Sequence, residues 1–473
     1  MHRTATAVLV GLAIFTMACA VPFGPSYTIE RQQIVLTYSP QTPDSVHIAS
    51  TYRLKNTGDH DLSGLQAVLP LAAQNLHVTV KSAPLVPGPA ENQETSFVVP
   101  LPFASPLPQK ARLELVLEFD LETHGESFYF PERDWFFGLR PPDVPLAKGS
   151  PRARKTELTV RVPENYRVLS GGISRGDKRI GAGREFRFRF REKDFDFFLL
   201  AGPYLEQKIR SAGTTINLWT LKPLPPGQAE RAAERITQTT RFYEDTFGRR
   251  IRPRDPFWVA DFPTSWRPGQ PAVEFAFMSS FPQGVLINLE QVNLDRFGPS
   301  MTGLSLSASL DLALAEIWFS HLASPDPDIG VLNLALSAYA QRLAREAQGA
   351  PADRRVLLAE ELQRFDILRG GGEDTPIHSL RHPVSGVQLR PARQKAILFL
   401  FAIEEKIGKK NLLAAVKHMI QALRGSTYGW NELRSAVEAE SGQSLGEMFR
   451  VWLSQRGIPA DFRARYADPK PRE

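Results

Sequence analysis

The pattern of hydrophobic and polar positions changes character near the middle of the chain. From about Tyr27 to Tyr204, short segments alternate apolar and polar residues, and Pro- or Gly-containing clusters separate them. The clearest segment is Phe186–Arg191, in which Phe and Arg alternate. Successive side chains of a β-strand point to opposite faces of the sheet, so this pattern predicts half-buried strands. An Arg/Phe surface for nucleic acid would give the same alternation, but a half-buried strand is the simpler interpretation. We expect an antiparallel N-terminal β domain, shaped as a saddle or sandwich.

Beyond a Pro-rich joint at 222–227, apolar residues recur at helical spacing. This predicts an α-rich region that begins with a small sheet, whose strands are at about 257–260 and 285–288. The predicted helices cover approximately 229–247, 305–323, 330–347, 354–368, 392–407, 410–424, 430–440 and 445–455. The fold class is therefore α+β. The predicted organisation is a signal peptide at 1–20, a β domain at 21–205, an α-rich domain with a small sheet at 206–390, and a C-terminal helical part at 391–473.

The first twenty residues predict export. An apolar run from Ala5 to Ala18 follows Arg3 and has the length of a signal-peptide core, which is too short to span a bilayer. Cys19 follows it directly, in a context that resembles a bacterial lipobox, with Thr16 in place of the usual Leu. Two alternatives are open: Cys19 is lipidated and becomes the new N-terminus, or ordinary cleavage after Ala20 removes it. We favour lipidation, which predicts a membrane-anchored lipoprotein on the periplasmic or extracellular face.

Composition removes several classes of protein. Cys19 is the single cysteine among 473 residues, so an internal disulfide, a thiolate zinc site and an iron–sulfur cluster are excluded. Lys and Arg number 57 and Asp and Glu 51, a net charge of +6. This mild excess would permit attraction to anionic surfaces but does not indicate nucleic acid, which we do not expect as a partner.

Two helical segments bear a family resemblance. The first is Leu312–Ser320, which contains Trp318 and Phe319, and the second is Leu332–Tyr339. Together with the β-then-α order, they resemble the alanyl aminopeptidase and leukotriene-A hydrolase family of gluzincins, whose motifs are H-E-x-x-H-x-W-F-G and L-N-E-G-F-A-S-Y. The resemblance runs from about residue 27 to 460. It implies that the α-rich domain is thermolysin-like and that the family's cofactor would be zinc.

The positions that carry the family's chemistry have changed. Two histidines one helical turn apart and a glutamate from the next helix would bind zinc, and a carboxylate would act as the general base. The corresponding positions here are Leu312, Ala313 (the base), Glu316 and Leu334. We therefore expect no zinc and no other cofactor.

Two further family positions are partly retained. Glu274 corresponds to the glutamate that captures the substrate's amine, and Arg393 stands where the family has its transition-state tyrosine. Glu274 and Glu316 are thus the candidate binding residues of the cleft. The charges Asp311 and Glu316 on an apolar helix are both expected to reach solvent at the cleft edge, with a buried Glu316 paired to Arg393 as the alternative.

These observations predict a degenerate aminopeptidase, a pseudoenzyme with a binding or scaffolding role in the cell envelope, whose partner is a peptide or an envelope protein. The alternative is an active metallopeptidase or hydrolase with a relocated site drawn from Glu274, Glu316, His321, His378 and His382. His378 and His382 have the spacing of a metal pair on a helix, but Pro376 and Pro383 flank them, so we expect a loop.

Overall fold

The structure is a computed structural model that describes residues 27–92, 96–123, 125–130, 138–140, 153–191, 198–249, 256–261, 278–281, 284–287, 310–325, 331–348, 353–370, 374–380 and 386–467. These form two compact units. The first comprises the described parts of Met1–Glu122, Phe130–Glu164 and Gly172–Phe197, and the second those of Thr123–Tyr129, Asn165–Gly171 and Phe198–Glu473. Sheets build the first unit and helices dominate the second, which confirms the predicted fold class. Two short segments from the β half of the sequence belong to the helical unit.

The strands are β1 (Tyr27–Tyr38), β2 (Ser45–Asn56), β3 (Leu62–Pro70), β4 (Ala73–Val80), β5 (Ala83–Pro84), β6 (Glu91–Asn92), β7 (Ser96–Leu107), β8 (Arg112–Glu122), β9 (Phe128–Phe130), β10 (Gly138–Arg140), β11 (Lys155–Pro163), β12 (Arg167–Ser170), β13 (Ile173–Ile180), β14 (Gly183–Arg191), β15 (Leu199–Gly202), β16 (Leu205–Ser211), β17 (Thr214–Thr220), β18 (Phe257–Asp261), β19 (Met278–Phe281), β20 (Gly284–Ile287), β21 (Ser324–Pro325) and β22 (Thr427–Tyr428).

The first unit is built on an eight-stranded sheet of order β13-β14-β11-β1-β2-β8-β4-β5 and a four-stranded sheet of order β10-β3-β7-β6. Leu36 of β1, Ile48 of β2 and Leu158 of β11 are fully buried. The residues immediately before and after each of them are at least partly exposed, as period-two alternation predicts. The expectation of a wholly antiparallel sheet is wrong at one pairing, because β1 and β11 run parallel.

Within the described ranges, the helices belong to the second unit. They are α1 (Gln228–Phe247), α2 (Leu310–Glu316), α3 (Val331–Ala347), α4 (Arg354–Gly370), α5 (Gly386–Ile407), α6 (Lys409–Ala422), α7 (Trp430–Ser441), α8 (Gly446–Ser454) and α9 (Ala460–Tyr466), with a π-helical turn at Ile317–Leu322 and a 3₁₀ turn at Ile377–Ser379. Its largest sheet has the order β16-β17-β18-β20-β19. No helix in the described part of the chain is both long and apolar enough to cross a membrane.

Buried aromatic side chains hold the helices together. Trp318 packs edge-on against Tyr243, with ring centroids 5.3 Å apart, and its indole Nε1 donates to the Gly248 carbonyl at 2.7 Å. Gly248 ends α1 with a φ of +95°, a conformation that residues with a Cβ rarely adopt. Further along, Phe399 stacks on Trp452 with centroids 5.2 Å apart. The contacts of Trp318 fix the end of α1 against the segment that follows α2, and the Phe399–Trp452 stack joins α5 to α8.

Helix periodicity predicted the existence of most helices and missed some details. Helix α5 begins at Gly386 rather than near residue 392, so Pro391 lies within its first turns. The helix predicted to run to residue 323 changes to π-helical hydrogen bonding after Glu316. Helix α9 was not predicted at all.

Candidate functional site

Three of the four motif positions lie on α2, in the core of the helical unit, and the fourth, Leu334, lies on α3. Leu312 is 5% exposed and Ala313 is fully buried, while Glu316, at the end of the helix, is only partly buried. The π-helical turn at Ile317–Leu322 follows at once and contains Trp318 and Phe319. π-Helical turns are rare and frequently mark functional sites, although here the turn also seats two buried aromatic rings.

Glu316 and Arg393 lie near one another. Burial lowers the pKa of the Arg393 guanidinium, the negative charge of Glu316 acts to raise it, and the positive charge of Arg364 lowers it further. Arg393 and Leu334 are both partly exposed, on α5 and α3. The Nε atom of Arg393 is buried and has no hydrogen-bond partner among the described residues. Arg393 therefore lies close to one acidic side chain, Glu316, and to one basic side chain, Arg364.

These residues do not fit zinc. Leu312, Ala313 and Leu334 offer no ligand atom, and a zinc ion needs three protein ligands even at an open catalytic site. The described part of the chain contains no group of three His, Cys, Asp or Glu side chains arranged to hold a metal ion. The neighbouring Arg393 would also repel a divalent cation near Glu316.

The expectation that Asp311 reaches solvent is wrong. Asp311 is fully buried, and its carboxylate accepts hydrogen bonds from Arg235 at 2.7 and 3.3 Å and from the Thr239 hydroxyl at 3.3 Å. The Tyr243 hydroxyl donates to the Asp311 backbone carbonyl at 3.0 Å. The physical reason is that α1 supplies a nearly buried guanidinium against this face of α2, so both charges are compensated away from water.

Two glutamates, Glu404 and Glu361, are buried in the core of the helical unit. The Tyr339 hydroxyl donates to Glu404 at 2.7 Å, and Arg354 also donates to Glu404. Glu361 accepts from Arg364 and from Gln394 and forms an ion pair with Arg342. The retained Tyr339 of the second motif therefore anchors α3 to α5. Sequence reasoning missed Arg364 and Glu361. Their helical spacing on α4 was a usable signal, since charged residues at apolar positions of a helix require buried partners.

Among the described residues, the histidines of the alternative hypothesis belong to no group of three side chains that could hold a metal ion. The His321 ring, on the π-helical turn, stacks against Phe281 with centroids 6.4 Å apart. His378 lies in the 3₁₀ turn. Glu274, His382 and Cys19 lie outside the described residues.

The fold is similar to that of solved M1 zinc metallopeptidases. A structure of the enzyme from Deinococcus radiodurans has a TM-score of 0.60 at 16% sequence identity, with 92% of this chain and 95% of that chain covered. A mutant of that enzyme gives 0.60 at 17%, covering 92% and 96%. The mutant bound to a Tyr-Ser-Ala substrate gives 0.58 at 15%, covering 94% and 97%. No protein-family model and no curated protein sequence matches this chain. At such identities the likeness shows a shared fold.

Proposed function

We propose that this chain is an exported, lipid-anchored, aminopeptidase-like protein that has lost its zinc site and serves a non-catalytic binding or scaffolding role in the bacterial cell envelope. The observation that carries the proposal is the chemistry of the positions on α2 and α3. Three of the four motif positions hold Leu or Ala, and Leu312 and Ala313 are buried as ordinary core residues. A zinc-dependent peptidase needs both a metal ion and a general base there.

The retained packing supports a conserved shape with altered chemistry. Trp318 and Tyr339 keep their buried contacts, and losing a buried aromatic side chain costs about 3–5 kcal/mol. Ligand residues face no such penalty once catalysis is not required. This difference in cost would account for a chain that keeps the motif's aromatic positions and has leucine at two of its three metal-binding positions, Leu312 and Leu334.

Arg393 supports a role in binding. A buried guanidinium Nε without a hydrogen-bond partner among the described residues is costly, and a ligand that brings an acceptor would satisfy it. A peptide or an extended segment of an envelope protein offers backbone carbonyls and carboxylates of this kind. The ligand would then be held by Arg393, with Glu274 and Glu316 as further candidate contacts.

Metal content and peptidase activity test the loss of catalysis. Purified protein incubated with excess zinc and then desalted is expected to contain substoichiometric zinc by elemental analysis, and to show no turnover of aminoacyl substrates. Glu316→Gln is the matched variant, because Glu316 is the one ionisable side chain at the motif positions. Stoichiometric zinc in the unmodified protein, with turnover that Glu316→Gln abolishes, would overturn the proposal in favour of a relocated site.

Lipid attachment is tested separately. Protein recovered from bacterial membranes is expected to have a mass that indicates an acylated Cys19 at the mature N-terminus, and Cys19→Ala is expected to leave the protein unacylated. A mature N-terminus downstream of Ala20 would instead show ordinary signal cleavage, which would remove the anchor from the proposal but leave the lost zinc site untouched.

A further inference from the structure

One face of the eight-stranded sheet carries a concentration of basic side chains at one end. We call this surface the basic face; its cations lie on β1, β11, β13 and β14, which are neighbours in the sheet. They are Arg31, Lys155, Arg161, Lys178, Arg187 and Arg189. At a spacing of about 4.8 Å between strands, these four strands span about 14 Å.

Strand register places these side chains on the same side of the sheet. Arg189 is opposite Glu157, Arg187 is opposite Thr159, and Arg161 is opposite Glu185, which is in turn opposite Lys178. Residues directly opposite each other on paired strands point to the same face. The intervening Phe188 and Phe190 are buried on the other face. The alternation of Phe and Arg in the sequence is therefore an alternation of core and basic face.

Two acidic side chains neutralise only part of this charge. Glu185 forms ion pairs with Arg161, Lys178 and Arg187, whose side chains are 48%, 57% and 55% exposed. Glu157 pairs with Arg31 and Lys155 at 2.6 and 2.8 Å. Six cations against these two acids leave an excess of four positive charges, because Glu30, the remaining acid of β1 on this side, is paired with Arg112 of β8. That excess is large beside the +6 of the entire chain.

The same side of the sheet loses this positive excess on β2 and β8. Arg31 is opposite Arg53, which is opposite Glu114 on β8, and the period of two continues to Glu118 and Asp120. Strand β8 is four strand positions from β14, or about 19 Å. This exceeds the Debye length of about 8 Å at physiological ionic strength, so a charged partner would sense the two ends separately. Arg53, Lys55 and Arg112 nearly balance Glu114, Glu118, Asp120 and Glu122 there, so the positive excess is confined to the basic face.

We propose that the basic face docks the protein against a membrane surface of anionic phospholipid. Guanidinium and ammonium groups spread over four strands suit an array of phosphates, and clusters of four to eight basic residues are typical of anionic-lipid binding. Single-stranded nucleic acid is the poorer match, because its binding sites stack bases on aromatic side chains, and the aromatic residues of β14 point into the core. The inference goes beyond the proposed function and does not depend on lipidation of Cys19.

Binding to vesicles of defined charge tests this proposal. The full chain with Cys19→Ala, which cannot be acylated, is mixed with phosphatidylcholine vesicles with and without phosphatidylglycerol, and the bound fraction is measured by sedimentation. The test variant is Thr159→Glu with Arg189→Gln, which lowers the charge of the basic face by two without removing a partner of Glu185. At low ionic strength we expect the preference for anionic vesicles to fall about 25-fold, since each basic charge contributes about fivefold.

The matched control is Lys409→Gln with Lys410→Gln, which removes the same charge from exposed positions on α6 of the helical unit. We expect this control to keep its preference within about twofold, and raised salt to abolish the preference of the unmodified chain. Equal losses in both variants would reduce the effect to net charge and overturn the proposal. Binding that ignores lipid charge would also overturn it. Tighter binding to single-stranded DNA, with the same dependence on the basic face, would overturn the assignment to lipid.

Discussion

Helix α2 carries two acidic side chains, and the fold treats them in opposite ways. Asp311, in the first turn, is fully buried against α1 and bound by Arg235. Glu316, at the last residue of the helix, is partly exposed and lies near Arg393. Both were expected at a cleft edge from sequence. The comparison teaches that the side of α2 facing α1 is fixed by a buried ion pair, whereas the charge at the other end of the helix is partly solvated.

This difference has an energetic basis. Removing one partner of a buried ion pair leaves an uncompensated charge out of water, which destabilises the folded protein strongly. An exposed ion pair contributes little to stability because solvent already screens its charges. A substitution at Asp311 therefore threatens the fold, and a substitution at Glu316 does not. Leu312 and Ala313, between these two charges, are buried in the hydrophobic core, so the contrast concerns the charged ends of α2 alone.

The largest effect is expected for Asp311→Ala. It removes the carboxylate that Arg235 and Thr239 bind and leaves the nearly buried Arg235 without it. We expect the free energy of unfolding to fall by about 3–5 kcal/mol, as measured by chemical denaturation. The Tyr243 bond to the backbone carbonyl of residue 311 is retained, so the loss reports the charge pair.

A double variant separates this cause from general disruption of the core. Arg235→Met with Asp311→Leu removes both charges and keeps similar volume, and it is expected to be more stable than Asp311→Ala alone. If the double variant is instead the less stable protein, the ion pair is not the source of the loss, and the contrast between the two ends of α2 would lose its explanation.

Local periodicity accounts for what the sequence predicted well. Strand β14 follows from the alternation of apolar and polar residues alone. Helices α1, α3, α6 and α7 follow from the helical spacing of apolar residues. The parallel pairing of β1 with β11 brings together segments more than one hundred residues apart, and nothing local signals it. Likewise, the π-helical turn depends on how Trp318 and Phe319 seat in the core, which a helical pattern does not encode.

The site was predicted only in part, for a related reason. Identity at the motif positions follows from sequence, so the absence of zinc ligands at Leu312, Ala313 and Leu334 needs no structure. The burial of Asp311 depends on Arg235, 76 residues earlier in the chain. A usable signal existed: Arg235 lies among the apolar positions of α1, close to Ala232 and Ile236, as Asp311 does on α2. Two opposite charges in apolar stripes of different helices indicate a buried pair.

An intermediate effect is expected for Glu185, which is buried but held by half-exposed cations. Burial acts to raise the pKa of Glu185, yet hydrogen bonds from Arg161, Arg187 and Lys178 outweigh it and lower the pKa from 4.5 to about 2. A lowered folded-state pKa gives stability that is present above the unfolded pKa and is lost as pH falls towards the folded pKa. Between about pH 5 and pH 2 the unmodified protein should therefore lose about 1–2 kcal/mol that Glu185→Gln does not lose, a figure discounted for solvent screening.

The control for this pH dependence lies in the turn that follows β11 of the same sheet. Glu164 pairs with Arg179, but both side chains are more than half exposed. Glu164→Gln is expected to follow the unmodified protein over the same pH range when unfolding is monitored by denaturant titration. If Glu164→Gln and Glu185→Gln flatten the pH dependence equally, burial of the carboxylate does not set the size of the effect. The ranking of Asp311, Glu185 and Glu316 by burial would then lose its intermediate case.

The smallest effect is expected for Glu316→Gln, and it decides whether the comparison within α2 is correct. Because Glu316 is partly exposed and its contact with Arg393 is electrostatic, we expect a loss of at most about 1 kcal/mol in the free energy of unfolding. The loss should shrink when salt is raised, since screening weakens exposed charge pairs more than buried ones. Asp311→Ala, measured alongside, should keep its full loss at high salt. A loss of about 3 kcal/mol for Glu316→Gln that salt does not change would contradict this expectation. Glu316 would then behave like Asp311, and both ends of α2 would belong to the structural framework.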